Sequence, residues 1–246
     1  MPSRASPCIV ITGAASGIGR ATVIRLLQDG ARVGGIDLDE TGLAALDAEA
    51  VAVADVSDET EIDRAVEKIA AALGGLDGLV ACAGVAGRGS VTDTTLENWE
   101  RIFAVNVRGV YLSARAAIPH ISRSGGGAIV LVASQLGLVA AAGAAAYCAS
   151  KGAVVQLARA MAIDHGHEGI RVNAVCPGPT DTPLLEPYFS GAPDPSAERK
   201  QYERAQVHGR LVRADEVADA IAYLLSQDAG STIGATLVVD GGYSIR

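Results

Sequence analysis

Seven short apolar runs spaced along the whole chain constrain the fold more than any other feature. They are Cys8–Thr12, Arg32–Ile36, Val51–Ala54, Leu76–Ala81, Ala128–Ala133, Ile170–Val175 and Thr236–Val239. Most are continuously apolar and do not alternate with polar residues, which is the pattern of strands covered on both faces and hence of a parallel sheet. The stretches Gly17–Gln28, Glu59–Leu73, Leu96–Ile121, Ala145–His165 and Ala214–Ser226 carry helical periodicity and are long enough for right-handed crossovers. The expected architecture is therefore α/β: one doubly wound domain over residues 1–246, with a seven-stranded parallel sheet flanked by helices. The one break in composition, 183–210, is rich in proline, charge and turn residues, and reads as a lid or short helical insertion within that domain.

Charge and length exclude several functions. The formal charge is −8 with no basic run, which argues against binding nucleic acid or anionic membranes. The most apolar stretch, Leu136–Tyr147, is 12 residues, short of the 18 or more that a membrane span needs. Cys8–Ile11 runs into a glycine-rich turn and not into a cleavage region, so a cytoplasmic protein is expected. Cys8, Cys82, Cys148 and Cys176 form no CxxC pair and read as reduced thiols. His165 and His167 flank Gly166 in a way that resembles a metal clip, but their place after a helix suits capping better, and no metal is expected.

The turn Thr12-Gly13-Ala14-Ala15-Ser16-Gly17-Ile18-Gly19 leaves the first strand and opens the first helix. In that context it is a phosphate-binding turn of a Rossmann fold. Gly13 takes the tight turn, Gly17 lets the backbone approach a pyrophosphate, and Gly19 lets helix and sheet pack closely. Asp37 closes the second strand 18 residues beyond Gly19, close to the spacing of about 20 for an acid that bonds an adenosine ribose. A carboxylate there accepts from the 2′- and 3′-hydroxyls and repels a 2′-phosphate, and neither Ser16 nor Leu38 supplies a cation to hold that phosphate. NAD is expected over NADP.

Asp55, Ala83-Gly84, Asn106, Ser134, Tyr147-x-x-x-Lys151 and Pro177-Gly178, in register with this turn, resemble the classical short-chain dehydrogenase/reductase family over nearly the full length. The resemblance implies an oxidoreductase with Asn106, Ser134, Tyr147 and Lys151 as catalytic tetrad. Independently, Tyr147 and Lys151 are four apart on a helical pattern and share a face, where an ammonium favours the phenolate. Ser134 ends the fifth strand and can hold a substrate oxygen. By resemblance, Asn106 helps hold a proton-relaying water and Lys151 also bonds the nicotinamide ribose. The cofactor set is then Gly13, Ser16, Gly17, Ile18, Gly19, Asp37, Asp55, Val56, Ala83, Gly84, Tyr147, Lys151, Pro177, Gly178, Thr180 and Thr182. Within it, Asp55 and Val56 lie by the adenine, and Thr180 and Thr182 by the carboxamide. One departure stands out: the fourth strand ends Ala81-Cys82-Ala83-Gly84, with Cys82 where the family has a bracing asparagine.

Leu136, Leu138 and Val139 after Ser134, with Leu184, Leu185, Tyr188 and Phe189 in the lid, suggest a roomy apolar substrate pocket. Ser134, Gln135, Tyr147, Leu184 and Tyr188 are the candidate substrate residues, Gln135 as a polar handle. Three functions fit: an NAD-dependent dehydrogenase of a secondary alcohol, a 3-oxoacyl-thioester reductase using NAD(P)H, and a catalytically silent dinucleotide-binding protein. Asp37 argues against the second, and the complete tetrad against the third. Val105, Val110, Ala114, Ala117, Val154, Leu157 and Met161 give the helices Leu96–Ile121 and Ala145–His165 more apolar positions than one sheet face covers. With the family's helix-bundle contacts, this implies a homotetramer.

Overall fold

The computed structural model describes residues 6–245. Its strands are β1 (Cys8–Thr12), β2 (Arg32–Asp37), β3 (Ala50–Val53), β4 (Gly78–Ala81), β5 (Gly127–Val132), β6 (Ile170–Pro177) and β7 (Thr236–Val239). They form one sheet of order β3-β2-β1-β4-β5-β6-β7. Every adjacent pair is parallel. The chain direction across the sheet reverses between β1 and β4, where folds of this kind bind ligands. The helices are α1 (Gly17–Gln28), α2 (Glu40–Ala44), α3 (Glu59–Leu73), α4 (Leu96–Phe103), α5 (Val110–Arg123), α6 (Ala145–His165), α7 (Glu186–Ser190), α8 (Pro195–Arg204) and α9 (Ala214–Leu225). One apolar layer, with Ile69, Leu79, Leu131 and Val154, lies under α3, α5 and α6. The other, with Ile11, Val23, Val130 and Ile221, lies under α1 and α9. No helix among the described residues is long and apolar enough to cross a membrane.

Local chemistry sets the boundaries. Asp58 opens α3 by accepting from the amides of Thr60 and Glu61, and Gly74 closes it in the left-handed region with φ 71°. Two arginines at the starts of strands cap the ends of neighbouring helices. Arg32 donates to Leu73 O at the end of α3, at 2.7 Å. Arg171 donates to Leu224 O, Leu225 O and Ser226 O at 2.8, 3.2 and 3.0 Å, satisfying the last carbonyls of α9.

Two expectations are corrected, and one short helix is added. The single helix Leu96–Ile121 is instead α4, a π-helical turn at Ala104–Gly109, and α5. The short α2, capped by Asp39, has too few residues for a periodic signal. Of the apolar positions assigned to a subunit contact, Val110, Ala114, Ala117, Val154 and Met161 are buried in the chain's own core. The apolar surface these helices leave open includes Leu96, Ile163 and a groove of Trp99, Phe103, Val107 and Tyr111 edged by charged residues, with Trp99 stacked on Phe103 at 4.5 Å. The 183–210 insertion folds as α7 and α8, the latter opened by Asp194 and Pro195.

Replacing Arg171 with Met leaves three carbonyls without their charged donor. Partial rehydration offsets some of that loss, so Arg171→Met is expected to destabilise the fold by about 2 kcal/mol in urea unfolding, and an unchanged midpoint would contradict the capping role.

Candidate active site

All seven strands point their carboxyl ends to one edge, and the residues just past those ends build the site. After β1 the chain turns through Gly13, at φ +69°, where an added Cβ would lie 2.8 Å from the Ala83 backbone. A Cβ on Gly19 would lie 1.9 Å from Gly13 O, so helix and turn approach as closely as glycine permits. Ser16 flanks α1 without capping it through its side chain, leaving the amides at Gly17 and Ile18 for an anion. At the end of β2, Asp37 is aimed across this turn: Oδ2 accepts from Ala15 N at 2.9 Å and Oδ1 from Asp39 N at 3.1 Å. Leu38 beside it is exposed and apolar. Past β3, Asp55 Oδ1 accepts from the amide and hydroxyl of Ser57, both at 2.8 Å, and Val56 is buried. Past β6, Thr180 donates to Gly178 O, and Thr182 reaches over the glycine turn so that a Cβ on Gly17 would meet it at 3.3 Å. A backbone cradle with this little clearance fits a nicotinamide dinucleotide.

Two of the four tetrad residues, Asn106 and Lys151, meet at Gly84. A Cβ there would lie 3.3 Å from Asn106 Oδ1 and 3.5 Å from Lys151 Nζ. Asn106 sits in the π-helical turn, fully buried. It accepts from Val85 N at 2.8 Å, and donates to Val85 O at 2.9 Å and Ser150 Oγ at 3.1 Å, so the buried amide is fully used. Such turns are common at functional sites because the extra residue re-aims one side chain. Ser134, past β5, accepts from Leu136 N at 3.1 Å and hydrogen-bonds the Tyr147 phenol. Lys151 is buried and donates to Val132 O at 2.9 Å, with Nζ 5.8 Å from the centre of the Tyr147 ring.

Burial governs the protonation states here. It pushes Tyr147 up to about 12, against the opposing bond from Ser134. It pulls Lys151 down to about 8. Burial likewise raises the Cys82 thiol to about 12, although the Lys151 charge opposes the rise.

Gln135 is 3% exposed and its Oε1 is enclosed without a partner, next to Gly178. His165 Nδ1 pairs with Glu168 Oε1 at 2.7 Å, and among the described residues no group of three His, Cys, Asp or Glu is placed to hold a metal. Leu184 is exposed on the lid, and Tyr188 is close enough to Tyr147 to oppose its ionisation. Residue types alone did not single out Thr12, whose Oγ1 accepts from Cys82 N at 3.2 Å and Ala83 N at 3.3 Å. Ser150 was missed too. It links Asn106 to Tyr147 by donating to Tyr147 O at 2.8 Å, and its place three residues after Tyr147 on the same helix was the only available signal.

Residues 13–244 match a family model described as Enoyl-(Acyl carrier protein) reductase. The chain is 39% identical over 244 residues to 2-(S)-hydroxypropyl-CoM dehydrogenase 3 of Xanthobacter autotrophicus (strain ATCC BAA-1158 / Py2), covering 95% of each chain. The chain belongs to the short-chain dehydrogenase/reductase family. It is also 41% identical over 243 residues to cis-4-hydroxycyclohexanecarboxylate dehydrogenase of Sinomonas cyclohexanicum, covering 96% of this chain and 95% of that one. The crystal structure of a levodione reductase superposes with a TM-score of 0.93 at 32% identity, covering 98% of this chain and 99% of the other.

The buried lysine of this short-chain dehydrogenase/reductase gives a pH test. Its folded-state pKa, about 8, lies below the ordinary 10.5. Below the lower value, folded and unfolded chains both hold the proton and the fold carries the full cost of the buried ammonium. Between the two values the unfolded chain binds the proton and the folded chain does not, so stability rises with pH and then levels off. Lys151→Met removes that cost at neutral pH only. Its stability relative to the parent is expected to be most favourable near pH 7 and to fall towards pH 10.5 in urea titrations, while a pH-independent difference would contradict the buried charge.

Proposed function

We propose that this chain is an NAD-dependent dehydrogenase that interconverts a secondary alcohol and its ketone, with Tyr147 as general acid/base. The observation that carries the reading is the convergence of Asn106 and Lys151 on Gly84, with the Tyr147 phenol bonded to Ser134. A nicotinamide dinucleotide, when bound, supplies the hydride acceptor for oxidation and the hydride donor for reduction. The glycine turn holds its pyrophosphate, Asp37 its adenosine ribose, Asp55 and Val56 its adenine, and the loop of Pro177, Gly178, Thr180 and Thr182 its carboxamide. Ala83, Gly84 and Lys151 line the rest of the groove.

Ser134 orients the substrate oxygen towards the Tyr147 hydroxyl. In the resting site burial keeps the phenol protonated, ready to donate to a carbonyl oxygen, and alcohol oxidation requires that proton to leave first. Oxidation therefore gains, and reduction loses, as pH rises. The ammonium of Lys151 is the charge that stabilises the phenolate once it forms, and Asn106 fixes the loop against which both groups stand. The dehydrogenase names of the relatives support a secondary alcohol as substrate. The family model's description favours an acyl-thioester reductase as the second reading, against which the Asp37 carboxylate repels the 2′-phosphate of NADP.

One assay tests the main reading. Purified enzyme screened with secondary alcohols, hydroxy acids and 3-oxoacyl thioesters is expected to turn over alcohols with NAD far better than with NADP. Tyr147→Phe is expected to lower turnover by about 10²–10⁴ with NADH binding retained. Near-normal turnover in that variant, or a preference for NADP, would refute the assignment.

A homotetramer in the cytoplasm completes the proposal. The uncovered groove of Trp99, Phe103, Val107 and Tyr111 on the helical face supports self-association. Sedimentation equilibrium is expected to give four times 24.9 kDa, and a stable monomer would contradict it.

A further inference from the structure

The geometry points to Arg88 as a positioning residue, a latch that holds the lid helices α7 and α8 over the catalytic groove. The inference rests on the reading of Tyr147 as acid/base, and it concerns how the pocket above that residue is closed.

The insertion is tied to the body at both ends. At its start, Asp181 N donates to Val212 O and Val212 N to Pro179 O, each at 2.9 Å, and Thr182 lies against Gly17. At its end, Val207 N donates to Gly241 O at 2.7 Å, and Gln206 is buried. Between these ties α7 and α8 pack on each other, Phe189 against Tyr202 with ring centres 5.5 Å apart. Arg199 bonds Asp181 at 2.8 Å and Glu203 at 3.1 Å, contacts that stay inside the lid and its stem.

Arg88 crosses from the body to both helices. Its guanidinium carbon stands 4.4 Å from the centre of the Tyr188 ring on α7. Its Nη2 donates to Glu198 Oε1 at 3.1 Å and Tyr202 Oη at 3.4 Å, both on α8, and to Tyr188 O at 3.4 Å. The amide of the preceding Gly87 bonds the Tyr188 hydroxyl. Tyr188 is close enough to oppose ionisation of Tyr147, so the segment held by Arg88 borders the catalytic tyrosine. Three residues before Arg88, Val85 is held through both its N–H and C=O by Asn106. The latch therefore connects the loop fixed by a tetrad residue to the segment that borders the catalytic tyrosine. It is also built to open. The Arg88 side chain is 54% exposed, and one nitrogen serves three acceptors at 3.1 to 3.4 Å, whereas the ties at the lid's ends are backbone bonds.

The test combines trypsin and kinetics on the full-length enzyme. In Arg88→Ala, cleavage after Arg199, Lys200 and Arg204 in α8 is expected to accelerate about tenfold. KM for the alcohol is expected to rise by a similar factor, with NADH affinity and thermal midpoint unchanged. Arg88→Lys keeps a cation over the Tyr188 ring and opposite Glu198, and is expected to restore much of both readouts. Glu198→Gln, which weakens the latch from the lid side, is expected to shift both in the direction of Arg88→Ala. Unchanged cleavage and KM in Arg88→Ala would overturn the latch, as would a fall in kcat with lid protection intact. If the parent enzyme oxidises no alcohol, the dehydrogenase reading fails, and the cleavage rates still decide the latch.

Discussion

In a parallel sheet covered on both faces, backbone and side chains inside the layers are committed to packing, and the chain is open to a ligand only where strands end. All seven carboxyl ends lie along one edge here, so Gly13, Asp37, Asp55, Gly84, Ser134 and Gly178 arrive at a common groove from six different strands. None of these residues is near another in sequence by accident of a local motif. They are neighbours because the sheet order is β3-β2-β1-β4-β5-β6-β7, and the close approach of Gly13 to Ala83 joins its two halves at the reversal.

Within that groove, desolvation and charge act against each other. Tyrosine and lysine ordinarily titrate close together, near 10 and 10.5, and burial moves them apart to about 12 and about 8. The two groups therefore differ in protonation behaviour far more than they would in water. The Val132 carbonyl bonded to Lys151 keeps the ammonium tolerable inside the fold, since a buried donor without an acceptor would cost more than the fold can spare. The π-helical turn completes the arrangement by presenting Asn106 to Val85 and Ser150 at a point where a continuous α-helix would place a different face.

Much of this was legible in the sequence, and the rest was hidden for identifiable reasons. Continuous apolar runs located every strand, since strands buried on both faces have no polar face to blur them. The boundaries of α1, α3 and α6 followed from helical periodicity. The π-helical turn was not visible because Ala104–Gly109 contains no proline to mark it, and apolar residues run through it and on both sides. The core positions on α5 and α6 were misassigned to a subunit contact because periodicity cannot say which partner covers an apolar face. The bond from Lys151 to the Val132 carbonyl was hidden because that carbonyl lies nineteen positions earlier, on a strand that four-residue helical spacing does not reach. Arg88 was invisible because its partners on the lid lie 100 to 114 residues away.

The central claim is that this groove moves a hydride and a proton and does not merely hold a dinucleotide. Incubating the enzyme with NAD and a secondary alcohol deuterated at its carbinol carbon, followed by mass spectrometry of the recovered cofactor, tests it most directly. The expected result is one deuterium in the reduced nicotinamide, with none acquired from solvent when the unlabelled alcohol is used in deuterium oxide. Cofactor that binds tightly yet returns unlabelled with every alcohol tried would contradict the claim.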